Sequence, residues 1–312
     1  MTAETDLLPH GSAVERLATG ATWSEGPLWI PDEGGLRWSD IPGNRIMRWD
    51  AATSEVSVHR SDVEFTNGRM LDRDGSVVQC SHGRRRLERE LPDGTVTEIV
   101  SHWGEHRLNS PNDVALATDG AYWFTDPDYG ITQPREGHPG IREYGGCRVF
   151  RSSDADGLTS VIDDMDRPNG IAFSPDGGIV YVTDTGPELG ARRDHRIRAY
   201  DVDGTRATNG RRFAAIETGV PDGIAVDVEG RVWSSAGDGV HVFSPEGTEL
   251  AFVPVPEVVS NLCFGGFDGT ELFITATTSL YRVRTSTRAA SSDPVDLQTV
   301  SAHADERALP AG

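Results

Sequence analysis

The chain has 312 residues, 37% of them hydrophobic, and a formal net charge of −20 at neutral pH; it contains no lysine, so every basic side chain apart from histidine is an arginine. An acidic surface repels phosphate backbones, which excludes nucleic acid as a partner, and the missing amine excludes lysine Schiff-base chemistry. No apolar run approaches the ~20 residues of a membrane span and residues 1–20 lack the apolar core of a signal peptide, so no membrane association is expected and the expected location is cytoplasmic.

Taken in chain order, one unit recurs six times. It begins at Glu25 (EGPLWIPDEGGLRWSD), Asn67 (NGRMLDRDGSVVQCS), Pro111 (PNDVALATDGAYWFTD), Pro168 (PNGIAFSPDGGIVYVTD), Pro221 (PDGIAVDVEGRVWSSA) and Asn261 (NLCFGGFDGTELFITA). Each copy is a strand-like stretch, an acidic-glycine turn and a second strand, which is the pattern of a β-hairpin. The equivalent positions Glu25, Asn67, Asn112, Asn169, Asp222 and Asn261 lie 42, 45, 57, 53 and 39 residues apart. A blade of four antiparallel strands needs roughly 40–50 residues, so the spacing predicts an all-β, six-bladed β-propeller, with loop insertions in the two longer intervals.

The expected organisation is an N-terminal extension over residues 1–13, one propeller over 14–284, and a flexible C-terminal tail over 285–312, where apolar alternation stops. A strand near Val14 to Ala18 is expected to complete the last blade beside Leu280 to Val283, because unpaired edges invite aggregation.

Three cysteines, Cys80, Cys147 and Cys263, cannot pair completely, and none stands in a C-x-x-C arrangement. Cys80 and Cys263 fall in strand-like stretches and read as small buried apolar residues. His102 and His106 are spaced as zinc ligands on a helix would be, but the intervening Trp103-Gly104-Glu105 reads as loop and no third ligand accompanies them. His195, in an insertion after Asp184, reads either as a hydrogen-bonded loop residue or as one facing a substrate. No Gly-x-Ser-x-Gly elbow supports a serine nucleophile.

The oxygen-bearing set is the strongest chemical signal. Glu25, Asn112, Asn169 and Asp222 stand at one repeat position, at the starts of innermost strands, so their side chains are expected to converge on the central channel. Two carboxylates and two amide carbonyls select a hard divalent cation, Ca²⁺ first, then Mg²⁺ or Mn²⁺, with Zn²⁺ less favoured. Turn chemistry alone accounts for Asp74-Gly75, Asp93-Gly94 and Asp119-Gly120. It does not account for Glu25 before Gly26-Pro27, nor for the prolines that precede three of the set.

Ser24-Glu25-Gly26-Pro27, LNSPND (from Leu108) leading to WFTDPDYG (from Trp123), RPNGIAFSPDG (from Arg167) and VPDGIAVD (from Val220) resemble the SMP-30/gluconolactonase/regucalcin-like family. RVWSSAGDGVHVF (from Arg231) and LFITATTSLYRV (from Leu272) are similar to bacterial gluconolactonases, and the resemblance runs from about Leu17 to Arg284. It implies hydrolysis of a sugar lactone with one divalent ion in the channel. Carried over by position, Glu25, Asn169 and Asp222 match metal ligands, Asn112 a ligand that also touches substrate, and Asp222 the carboxylate acting as base or nucleophile. The regucalcin-like branch has an arginine where Ser110 stands, so substrate contacts are expected instead from the loop Pro127 to Gly146, with Tyr129 near its start. The alternatives are a phosphotriesterase- or fluorophosphatase-like hydrolase and a non-catalytic, Ca²⁺-stabilised binding propeller. The oligomeric state is left open.

Overall fold

Short runs in which apolar and polar residues alternate, punctuated by turn residues, favour antiparallel hairpins with one face for each neighbouring layer. The computed structural model describes residues 7–186 and 196–290 and shows six such sheets; His195 lies outside the described residues. Blade 1 is Ser24–Ile30, Gly35–Asp40, Arg45–Asp50 and Val56–Ser61, and blade 2 is Thr66–Leu71, Val77–Ser81, Arg86–Glu90 and Val96–Val100. Blade 3 is Val114–Leu116, Tyr122–Asp126, Arg148–Ser153 and Gly157–Ile162; blade 4 is Pro168–Phe173, Ile179–Asp184, Arg196–Asp203 and Arg206–Ala215. Blade 5 is Ile224–Val226, Val232–Ser235, Gly239–Phe243 and Glu249–Pro254. Blade 6 is Val259–Gly265, Glu271–Ala276 and Ser279–Arg284, completed by Glu15–Thr19.

The chain is therefore the six-bladed β-propeller expected, and the closing strand is displaced by one residue from the expected span. Glu15 pairs with Arg282 and Thr19 with Ser279, and a register shift between Arg16 and Ala18 absorbs the twist. Turn chemistry works locally as well: Asp74 Oδ1 accepts the amide of Ser76 at 2.9 Å and Asp119 Oδ1 that of Ala121 at 3.0 Å.

The core lies between blades. Trp123 of blade 3 meets Phe173 of blade 4 edge-on at 5.5 Å between ring centroids, and Trp233 of blade 5 meets Phe264 of blade 6 in the same way at 5.5 Å. Trp29 of blade 1 stacks on Phe273 of blade 6 at 5.6 Å, so aromatic packing spans the closure too. Aromatic pairs contribute about 0.5–1.5 kcal/mol beyond their area, which suits seams with few backbone hydrogen bonds.

Residues 285–290, which the loss of alternation placed in the tail, are built into the structure. Val228 donates to the carbonyl of Arg288 at 3.0 Å, Ala290 to that of Val226 at 2.8 Å, and Thr285 and Thr287 are buried. Hydroxyls rather than apolar side chains satisfy this segment: Thr285 Oγ1 reaches the carbonyls of Thr270 and Thr287. Hydropathy patterning does not register such anchoring.

Candidate functional site

The inner strands converge so tightly that glycine is required beside the axis. Gly26 has φ 51°, and a Cβ there would lie 2.5 Å from the carbonyl oxygen of Asn67; at Gly170 it would lie 2.3 Å from that of Asp222. The residue before each of these glycines directs its side chain into the channel. Glu25, Asn67, Asn112, Asn169 and Asp222 together line a cavity of about 220 Å³ at one end. Glu25, Asn112 and Asn169 are only 4–5% exposed, and Asp222 keeps more access to the cavity.

The four residues expected to act together are thus brought together, and Asn67 joins them. The repeat register that found the four also marked Asn67, the equivalent position of blade 2. Asn261, the sixth equivalent, turns its Oδ1 to its own strand, accepting the Leu262 amide at 2.8 Å, and lines the opposite end of the channel.

Carboxyl groups are concentrated here, with Arg135 the one cation among the cavity's lining residues. Burial, then the charge of Asp113, pushes the Glu25 carboxyl up to about 8 against hydrogen bonds from Gly26, Asn261 and Trp23. Burial and the neighbouring Glu25, to which it hydrogen-bonds, push Asp222 well above the carboxylate range; Glu136 and Asp113 add to the effect. Asp113 stands where the copies of blades 1, 2, 4 and 5 carry Gly26, Gly68, Gly170 and Gly223, and burial raises it to about 7. This fourth acidic group went unseen because the repeat marks its position as glycine.

Two oxygens of the lining stand out. Asp222 Oδ1 and Asn67 Oδ1 are buried with no hydrogen-bond partner. Acceptors with unused lone pairs, carboxylates that repel one another and a lining without thiol or imidazole fit a hard cation held by oxygen. Among the described residues no three His, Cys, Asp or Glu side chains cluster as metal ligands, because the set is part amide.

The loop of blade 3 forms the other wall. Tyr129, Gln133, Arg135 and Glu136 line the cavity. Tyr129 hydrogen-bonds Thr185 through its hydroxyl, and Arg167 lies over its ring at 5.2 Å. Ser110 is fully buried and does not line the cavity. Its Oγ donates to the Pro127 carbonyl at 2.7 Å and accepts the Gly130 amide at 3.0 Å, fastening the loop at its root. His82 holds the far side, its Nδ1 lying 3.1 Å from the Glu136 carbonyl. Gln133, Arg135 and Glu136 lie in an insertion with no repeat counterpart, and no pattern in the sequence singles them out.

The remaining candidates lie elsewhere. His102 and His106 sit on a two-residue-per-strand hairpin, His102–Trp103 paired with His106–Arg107, rather than in open loop, and both are exposed. Cys80, Cys147 and Cys263 are free thiols, and burial pushes Cys147 and Cys263 up to about 12, so they are inert rather than nucleophilic. No helix among the described residues is long and apolar enough to cross a membrane.

A closed ring of six blades with carboxylates and amides converging on its axis defines a class: propellers whose central channel is ringed by equivalent residues of successive repeats. Within that class, residues 23–278 match the model of the SMP-30/Gluconolactonase/LRE-like region, and the chain belongs to this family. It is 32% identical over 308 residues to a gluconolactonase of Zymomonas mobilis, covering 90% of this chain and 83% of that protein. A pentonolactonase of Haloferax volcanii is 34% identical over 273 residues, covering 82% of each chain. Among solved structures, a gluconolactonase of Xanthomonas campestris superposes with a TM-score of 0.84 at 38% identity, covering 91% of this chain and 92% of that one. A calcium-binding regucalcin of Agrobacterium tumefaciens, at 20% identity and a TM-score of 0.73, shares the fold.

Proposed function

We propose that the protein is a divalent-cation-dependent lactonase that opens a sugar lactone of the gluconolactone or pentonolactone kind, with Asp222 activating the attacking water. The observation that carries this reading is the Asp222 carboxyl: it faces Glu25 in the cavity, with one oxygen buried and unpartnered. The family and the named activities of the relatives supply the substrate class.

Glu25, Asn112, Asn169 and Asp222 would hold the cation, Ca²⁺ first among the candidates, with Mg²⁺, Mn²⁺ or Zn²⁺ as alternatives. When bound, such an ion offsets the repulsion between the carboxylates and polarises the lactone carbonyl. Asp222, ionised under those conditions, takes a proton from water as its oxygen attacks the carbonyl carbon. The ring C–O bond then breaks, and the proton is returned to the leaving alkoxide, giving the hydroxy acid. A positioned base of this kind contributes ~10²–10⁴-fold. Asn112 orients the substrate from the floor of the cavity and Tyr129 from its wall, while burial of Glu25 keeps bulk water from the carboxylate pair.

Acid release from a panel of glucono-, pentono- and aryl-lactones, measured before and after exhaustive chelation, tests the reading. Turnover that chelation abolishes and added Ca²⁺ or Mn²⁺ restores is the expected result. Hydrolysis of phosphotriesters in preference to every lactone, or full activity after chelation, would overturn it.

A further inference from the structure

Blades 1, 3 and 4 end their second strands in a hydroxyl residue followed by aspartate: Ser39-Asp40, Thr125-Asp126 and Thr183-Asp184. None of these side chains lines the cavity, and the chemistry above uses none of them. All are at most 5% exposed.

Each pair works in two directions. The carboxylate reaches back to the main chain that leads into its own blade. Asp40 Oδ1 accepts the amides of Thr22 at 2.8 Å and Trp23 at 3.3 Å, just ahead of Glu25. Asp126 accepts those of Asn109 and Ser110, both at 2.8 Å, ahead of Asn112. Asp184 accepts those of Asp166 at 3.2 Å and Arg167 at 2.9 Å, ahead of Asn169. The hydroxyl reaches forward to the channel residue of the next blade. Ser39 Oγ donates to the Asn67 carbonyl at 2.9 Å, Thr125 Oγ1 to that of Asn169 at 2.6 Å, and Thr183 Oγ1 to that of Asp222 at 2.6 Å.

Asn169 is therefore gripped from both sides, by the hydroxyl of blade 3 and the carboxylate of blade 4. Asp222 is gripped likewise, since its own amide donates to Ser235 Oγ at 2.9 Å. Short Asn, Asp and Glu side chains leave little freedom once the main chain is fixed, so the spacing of the channel oxygens is set by these bonds. A chain of contacts passing from blade to blade would let each channel residue register against the next.

We propose that Ser39-Asp40, Thr125-Asp126 and Thr183-Asp184 are positioning residues that set the spacing of the cation-holding oxygens across the blade seams. The proposal rests on the cation reading of the site. The competing explanation is that they merely satisfy buried backbone groups, as Thr285 does outside the lining of the cavity, its buried hydroxyl reaching the Thr270 carbonyl at 2.9 Å and the Thr287 carbonyl at 2.8 Å.

Calorimetric titration of the full chain with CaCl₂ and with MnCl₂, beside melting of the metal-free protein, separates the two. Thr183→Val and Thr125→Val, each losing only the hydroxyl, are expected to weaken cation binding by about tenfold or more, the usual scale for an outer-shell support. Thr183→Ser and Thr125→Ser are expected to restore it. Thr285→Val is expected to lower the melting temperature and leave the affinity alone. Wild-type affinity in the two channel-side valine variants, or an equal loss in Thr285→Val, overturns the proposal. If the wild-type chain binds no cation, the cation reading itself fails. Crystal structures of the wild type and of a valine variant then decide the positioning role: a shifted Asp222 or Asn169 main chain supports it, and superimposable ones overturn it. Should one valine variant fail to fold, the other carries both comparisons.

Discussion

Two carboxyl groups within hydrogen-bonding reach, in a wall of amides, behave differently from either alone, and at the level of single residues this is what separates Glu25 from Asp222. Glu25→Gln keeps an oxygen donor and loses charge, so its activity is expected to recover in part as cation is raised. Asp222→Asn also keeps a donor but cannot accept a proton; kcat is expected to fall at least ~10²-fold even at saturating cation. Metal titration of both variants with acid release as the readout checks this, and recovery of wild-type kcat in Asp222→Asn would move the base elsewhere. Backbone proximity gives a second prediction. Ala at position 170 would bring its Cβ to 2.3 Å from the Asp222 carbonyl, so Gly170→Ala is expected to displace Asp222, lower kcat, and cost on the order of 1–3 kcal/mol in a denaturant titration. Much of this site was legible because the repeat fixes register: once Asn112, Asn169 and Asp222 are equivalent, Glu25 follows. Asp113 was not, because a position that is glycine in four other copies carries no expectation of charge.

Strands and loops were legible to different depths. Hairpins announced themselves through Asp-Gly turns, whereas the loop from Pro127 to Gly146 carries no period at all, and its anchoring by Ser110, His82 and Arg85 follows only from contacts between distant parts of the chain. Arg85 shows the principle: its Nε donates to the Leu108 carbonyl at 2.6 Å and its Nη2 to that of Ile141 at 3.2 Å. The seam between blades 1 and 2 offers a test by pH. Glu90, 5% exposed, meets Arg37 Nη1 at 3.0 Å, His59 Nε2 at 3.3 Å and Arg60 Nη1 at 3.7 Å. Burial alone would raise its carboxyl, but the His59 hydrogen bond and the charges of Arg37 and Arg60 outweigh it and hold the group at about 2 rather than 4.5. A folded value below the unfolded one means that the unfolded chain binds the proton more readily. The stabilisation is therefore complete above pH about 4.5 and disappears as pH falls toward 2, an amount on the order of 2–3 kcal/mol. Glu90→Gln is expected to be less stable near neutrality and to lose less of its remaining stability across that window, as measured by denaturant midpoints at a series of pH values.

At the scale of the whole molecule, six sheets share one closure. Glu15–Thr19 lies against Ser279–Arg284, and Glu15 Oε2 meets Arg282 Nη2 at 2.7 Å across a separation of 267 residues. Deleting residues 1–19 is expected to expose the edge of blade 6 and to replace a cooperative melt with early aggregation, followed by light scattering during a thermal ramp. A truncated chain that melts as sharply as the full one would show that the seam packing of Trp29 on Phe273 suffices. The same closing strand also sets an order of events in the cell. During synthesis, residues 15–19 leave the ribosome long before residues 279–284 have been joined to the chain, so five blades have time to form while this strand waits without its partner. The ring shuts only once residues 279–284 have been made, through a contact 267 residues apart in sequence, and the loop entropy lost in making it weighs on a late step of folding rather than the first.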